Sequence, residues 1–308
     1  MYFPYLRGRQ FELLAIRELV ENKLIGSKII PIVEPIKPTS TLLKTLNCFS
    51  EEDHHIALIH NPKVGNYKKA LDNLKDETLK DKLTNSLHKH EVIPAHILNN
   101  NSVSELKYIE NKENLIVILN DTDHINNYLN IFNTEKPIYT LTPDESSFRR
   151  KIKNSRVLLA DRFSKQLRNA DYVNIEDESF SEDHLYYRDD NYSGFSDFSI
   201  VGAEFSETGF APYAVVIHIV YFDDQMSLRI KHFVSDTNDD ITDPAGKFYE
   251  ALEKLINWNY SKNIDTLGIR EFQKHYKNGT YPGLGTVKKI AIMHHIELIN
   301  NFLEERLK

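Results

Sequence analysis

Eight short apolar runs in the first two-thirds of the chain each carry, at or just beyond their C-terminal end, a residue that could do chemistry. These are Arg7, Glu34, His60, His96, Asn120 with Asp121, Thr142 with Asp144, Asp161 with Arg162, and Glu204. Carboxylates, imidazoles and guanidinium groups gathered in one ring could hold a phosphate or coordinate a divalent metal. They could also divide acid and base roles, because neighbouring carboxylates push their pKa values apart. Strand ends are also polar simply because they meet solvent, which is the competing explanation for the whole set. Glu34 is the most pointed member. It ends the run Ile-Ile-Pro-Ile-Val-Glu-Pro between Pro31 and Pro35, whose rings stiffen the backbone that aims its carboxylate. A helix cap or a salt bridge to Arg7 or Arg9 competes with a reactive role there. Glu34, Asp121 and Asp161 are the candidate catalytic carboxylates, with Arg7, His60, His96 and Arg162 as candidate ligand contacts. Asp197 joins the contacts because it opens the last candidate strand.

Other constellations are weaker. Asp189-Asp190-Asn191-Tyr192-Ser193-Gly194 imitates the start of an EF-hand, but its twelfth position is Ile200 where a bidentate Glu is required. Gly283-Leu284-Gly285-Thr286 precedes a helix with Lys288 and Lys289 in its first turn, without Walker spacing. His294 and His295 diverge by about 100° on a helix, so one is expected to pack and the other to be solvated, while His294 and Glu297 could share a metal. His218 and His232 are placed to face each other across a hairpin, as a core pair or a pH-sensitive one. Gly194-Phe195-Ser196-Asp197-Phe198 lacks the second glycine of a nucleophile elbow. Cys48 has no basic neighbour to activate a thiol.

Elements must position these groups. The expected strands cover residues 2–6, 29–34, 56–60, 92–97, 115–119, 138–141, 157–160 and 198–204, all apolar runs without strict alternation, as buried parallel strands read. Helical patterns lie between them: Leu13, Ile16, Val20 and Leu24 before Gly26, then Leu71 and Leu74 with Leu79, Leu83 and Leu87. Repeated strand–helix units with about eight strands predict a TIM-type (β/α)8-like barrel, an open doubly wound sheet being the rival. Residues 171–197 hold nine Asp and Glu against one Arg188. They read as a surface excursion, with a lid over the barrel mouth as one form of it. Residues 213–222 and 226–234 read as a β-hairpin around Asp223-Asp224-Gln225, Asp243-Pro244 as a helix start, and Ile292, Ile296, Ile299 and Leu303 as the buried face of a last helix. The organisation expected is a barrel region over 1–205 and a hairpin with helices over 206–308, closing the barrel or appended to it.

Composition narrows the function classes. In 308 residues, 41% hydrophobic and 27% charged, no apolar run reaches membrane-spanning length. The N-terminus does not read as a signal peptide, and one cysteine excludes an intrachain disulfide framework. A cytosolic protein with no membrane partner is expected. The net charge of -7 argues against a nucleic-acid partner, since Arg149, Arg150, Lys151, Lys153 and Arg156 read as a solvated helix end rather than a phosphate-binding stripe.

The N-terminal residues Tyr2-Phe3-Pro4-Tyr5-Leu6-Arg7-Gly8-Arg9, then Glu12 on an amphipathic helix, then Ile30-Pro31-Ile32-Val33-Glu34, resemble the Beta protein family of uncharacterised bacterial and phage-encoded proteins, in a shorter bacterial branch. The match covers about the first forty residues and fades towards Asp197. The resemblance implies a barrel-like fold and a role in the conflict between bacteria and phages, with no agreed activity. If its motif marks a site, Arg7, Arg9, Glu12 and Glu34 are the positions. Two functions are expected from all this. In the first, the mouth binds or hydrolyses a phosphorylated small molecule or nucleotide, with a divalent metal as a possible cofactor and a carboxylate as base. In the second, the barrel is a non-enzymatic scaffold whose acidic segment binds a partner protein.

Overall fold

Seven of the eight expected runs coincide with or overlap a strand in the computed structural model, which describes residues 1–109, 111–206 and 212–305, except the side chain of Tyr108. In order these are β1 (Tyr5–Leu6), β2 (Ile32–Val33), β3 (Ile56–Ile59), β4 (Val92–Ile97), β5 (Ile116–Ile118), β6 (Tyr139–Thr142) and β7 (Arg156–Leu159). Each pairs in parallel with the next. The first two are short because Pro4 and Pro31 lack the N–H that a ladder needs, although both still accept through their carbonyls. Between the strands run α1 (Gln10–Glu21), α2 (Ser40–Glu51), α3 (Tyr67–Asp72), α4 (Glu77–Ser86), α5 (Ser102–Glu105), α6 (Ile125–Ile131) and α7 (Ser146–Lys151). The leucine pattern from Leu71 to Leu87 resolves into α3 and α4, the second capped by Asp76, which accepts from the Leu79 N–H at 3.0 Å.

The eighth stave is not residues 198–204. Residues 177–181 form β8 (Asp177–Ser181), a strand of a separate sheet; α8 (Asp183–Tyr186) follows, and the stave itself is β9 (Gly194–Ser196), parallel to β7. It also closes onto the start of the chain: the Phe3 N–H donates to Phe195 O at 2.9 Å, Phe195 N–H to Met1 O at 3.1 Å and Tyr5 N–H to Asp197 O at 2.8 Å. Only glycine fits the seam, because a Cβ on Gly194 would lie 2.7 Å from the Met1 carbonyl oxygen and 2.8 Å from the Phe3 ring. The barrel is therefore of the TIM type, and the open-sheet rival does not hold.

Why the acidic excursion folds is visible in its partners. Residues 171–197 supply both β8 and β9 rather than a surface loop. β8 lies antiparallel on β11 (Leu228–Val234), which in turn pairs with β10 (Val216–Phe222) in the expected hairpin. Asp177 meets Arg229 at 2.5 Å and Glu176 meets Lys231 at 2.9 Å. Opposite charges across neighbouring strands favour pairing, so Asp177 and Glu176 face basic partners on β11.

The chain makes two compact units: Met1–Asp161 with Asp183–Phe198, and Arg162–Glu182 with Ser199–Lys308. They interleave in sequence, whereas the expected division is a single cut after 205. In the second unit α9 (Pro244–Lys262) lies against β11, α11 (Leu284–Leu303) against β10, and α10 (Leu267–Asn278) against α11. Asp243 caps α9 by accepting from the Gly246 N–H at 2.9 Å. His294 and His295 are both fully buried, not one packed and one solvated. His294 Nε2 donates to Val220 O at 2.7 Å, which leaves Nδ1 to accept from Thr266 Oγ1 at 2.8 Å. His295 Nδ1 bonds Ser199 Oγ at 2.9 Å. Among the described residues no helix is long and apolar enough to cross a membrane.

Candidate functional site

Side chains alternate across the wall of a barrel. Phe3, Tyr5, Ile30, Ile32, Ala57, Ile59, Ile116, Ile118, Val157 and Leu159 belong to one buried cluster, the barrel interior. Leu115, Val117 and Leu119 belong to another, packed with Ile125 and Phe148 of α6 and α7. Continuing the interior parity past the strand ends reaches Arg7, Glu34 and Asp161. His60, His96, Asp121 and Asp197 have the opposite parity and face the outer layer. The expected ring is thus two sets of residues on two sides of the wall.

At the mouth, Glu34 is fully buried. Its Oε2 accepts from Tyr5 Oη at 2.8 Å and from Arg7 Nη1, and its Oε1 accepts from the Lys63 N–H at 2.7 Å and the Val64 N–H at 3.2 Å. Four donors use the roughly four lone-pair sites of a carboxylate. The Tyr5 hydroxyl stays a donor, since burial first and the Glu34 charge second hold its pKa well above the ordinary tyrosine value. Arg7 is 13% exposed along its side chain, and its guanidinium carbon lies 5.2 Å from the centres of both the Tyr5 and Phe198 rings. Glu12, buried on α1, accepts from the Arg7 N–H at 2.6 Å and fixes the backbone from which that side chain leaves. Arg9 occupies the cap position of α1. Asp161 is exposed.

The remaining candidates lie elsewhere. Asp121 is exposed and caps the turn 122–124 by accepting from the Asp123 N–H at 2.9 Å. Asp197 is buried and accepts from Tyr2 Oη at 2.8 Å, bracing the seam between β1 and β9. Arg162 belongs to the second unit. Arg156, counted with a solvated basic cluster, is buried: it donates to the carbonyls of Ile152 and Asp190 at 3.1 Å each and stacks over Tyr192. Among the described residues no group of three or more His, Cys, Asp and Glu gathers to hold a metal ion, the EF-hand-like segment and the His294–Glu297 pair included. Glu297 instead accepts from the Leu267 N–H at 2.7 Å.

On the outer face of β3 and β4, His60 and His96 do come together, lining one cavity of about 420 Å³ with Asn61, Tyr67, Lys68 and Glu105. His96 Nε2 receives Ser102 Oγ at 2.8 Å and Asn61 Nδ2 at 3.2 Å, while Ser102 Oγ itself accepts from the Asn99 N–H at 2.8 Å. Two donors converging on Nε2 place the ring proton on Nδ1. Burial, the largest cause, lowers the His96 pKa to about 4 even with Glu105 acting the other way. Tyr67, Asn61, Ser102 and Glu105 were missed from the sequence. Tyr67 offered a faint signal as a lone aromatic in a polar stretch, and the others offered none.

The second unit holds the expected histidine pair. His218 and His232 are cross-strand neighbours with Nδ1 atoms 2.7 Å apart, and His232 Nε2 lies 3.2 Å from Glu178 Oε1. Burial lowers both pKa values. Neutral rings suit this arrangement: His218 donates through Nδ1, and His232 accepts there and donates to Glu178 through Nε2. His218 also lines a cavity of about 340 Å³ with Phe163, Tyr172, Lys165 and Lys288. Against known proteins, the chain matches no protein-family model, no curated protein and no solved structure.

Proposed function

We propose that the barrel unit binds a phosphorylated small molecule or nucleotide at its mouth, with Arg7 as the anchor for the anion. The observation that supports this most is the saturation of Glu34: one buried carboxylate spends its bonding capacity on Tyr5, Arg7 and the loop after β3, and so holds the partly exposed Arg7 side chain at the end of a barrel where ligands are bound. A planar fork presented from a fixed pair is the geometry that suits phosphate. Glu34 is then a positioning residue, because its hydrogen-bonding capacity is spent on the protein. Hydrolysis, as an extension of the same reading, would fall to Asp161, the exposed carboxylate of interior parity.

The resemblance of the first forty residues to the Beta protein family fits a mouth built on Arg7, Arg9, Glu12 and Glu34, and a role in conflict between bacteria and phages rests on that resemblance alone. The scaffold reading keeps only the exposed part of the acidic segment as a surface, since the rest supplies β8 and β9.

Arg7→Lys tests the proposal, because it keeps a cation beside Glu34 but replaces the fork with a point charge. Affinity for adenosine monophosphate, used as the probe, is expected to fall by about tenfold, or about 1.4 kcal/mol, in calorimetric titration, with the melting temperature nearly unchanged. Equal affinity in both proteins would remove Arg7 from the site.

A further inference from the structure

The cavity on the outer face of β3 and β4 contains two polar atoms that the protein leaves unsatisfied. Tyr67 is 4% exposed, yet its hydroxyl has no hydrogen-bond partner, and neither does the buried Nε2 of His60. Both line the same space of about 420 Å³. Buried polar groups are nearly always paired, so two orphans facing one space call for an explanation. The space is large enough for one, lying within the roughly 300–1,000 Å³ of ligand pockets. The other walls are apolar: Leu58 of β3, Leu71 of α3, Leu87 and Ile109. At the edge Lys68 and Glu105 pair with each other at 3.4 Å, so the cavity offers an incoming ligand no uncompensated charge from that pair.

We propose that this cavity is a second binding site, for an uncharged, mostly apolar molecule with a polar edge that both donates and accepts hydrogen bonds, such as a primary aromatic amide or a neutral heteroaromatic ring. A neutral imidazole nitrogen gives or takes a hydrogen bond according to its tautomer, and a phenol does both, so such an edge satisfies either arrangement. An anion is disfavoured. Burial lowers the His60 pKa and raises that of Tyr67 to about 12, so neither group carries a charge near neutral pH. This site stands apart from the mouth, because Leu58, His60 and His96 have the outward parity and Arg7 the inward one.

Benzamide is the probe, with benzoate as its charged match and toluene as its apolar one. In amide NMR titrations benzamide is expected to shift resonances of β3, α3, β4 and α5, with benzoate and toluene binding more weakly. Tyr67→Phe should weaken benzamide by about fivefold, the worth of one hydrogen bond, without disturbing the fold, since it removes an unsatisfied hydroxyl. Leu71→Trp, which fills the cavity from α3, should abolish binding and serves where Tyr67→Phe does not fold. Arg7→Lys should leave benzamide binding unchanged, which separates this site from the mouth. No shift with benzamide, equal binding of benzoate or toluene, or unchanged affinity in both cavity variants would each overturn the proposal.

Discussion

Glu34→Ala is expected to cost roughly 3–5 kcal/mol of folding stability, as removal of one partner of a buried ion pair does. The substitution takes the acceptor from Arg7, from the Tyr5 hydroxyl and from the Lys63 and Val64 N–H groups at once. These donors lie in β1, directly after it and in the loop after β3, so three neighbouring staves lose their common tie. Against a total of about 5–15 kcal/mol the loss is large, and it is read as a drop in the urea midpoint. Glu34→Gln restores the shape but points an NH2 at donors, so it recovers part of the loss at most. Asp161→Ala, at an exposed position, should change stability by under about 0.5 kcal/mol. A Glu34→Ala protein as stable as the wild type would mean that the carboxylate does not hold the mouth together.

Acid should unfold both units through buried histidines. His96 in the barrel unit and His294 in the other are each held neutral, with pKa values lowered by burial to about 4 from an ordinary 6.5. Above pH 6.5 neither ring binds a proton in either state, and the contribution to stability is constant. As pH falls below 6.5 the unfolded chain takes up protons that the folded chain refuses, so stability falls by about 1.4 kcal/mol per pH unit for each ring. The fall continues to pH of about 4, where the folded rings protonate too. Each ring thus removes about 3 kcal/mol over that window. The bonds involved carry the same sign: a proton on His96 Nε2 would meet two donors, and one on His294 Nδ1 would displace the Thr266 hydroxyl. Urea midpoints measured from pH 7.5 to 4 should hold level down to about pH 6.5 and decline below it, and His96→Asn should flatten the slope in the barrel unit. A flat profile would show that neither ring is held neutral.

The barrel was legible in the sequence because its interior and its outer layer are both apolar, which leaves continuous runs such as Ile56-Ala57-Leu58-Ile59. The eighth stave was not, because Gly194-Phe195-Ser196 has little apolar character. What selects it is a steric fact about the seam with Met1 and Phe3 that no local pattern reports. The acidic segment misled for a related reason, since Asp177 and Glu176 find Arg229 and Lys231 some fifty residues away. Of the site, Arg7 and Glu34 were visible as residues and even as a pair. Their roles depended on parity relative to the wall: a shift of one residue separates Glu34, inside, from His60 and His96, outside. The burial of both His294 and His295 follows from α11 being covered on opposite sides, by Thr266 and Val220 at one ring and by Ser199 and Phe180 at the other.

The most direct test of the mouth as an anion site is where a phosphate lands. Titrating adenosine monophosphate into the protein while following arginine side-chain Nε–Hε resonances by NMR should move Arg7 first, with the backbone of β1 and of the loop after β2 moving alongside. If Arg7 stays still while residues around Lys165 and Lys288 shift instead, the anion belongs to the cavity of the other unit and the account of the mouth is wrong.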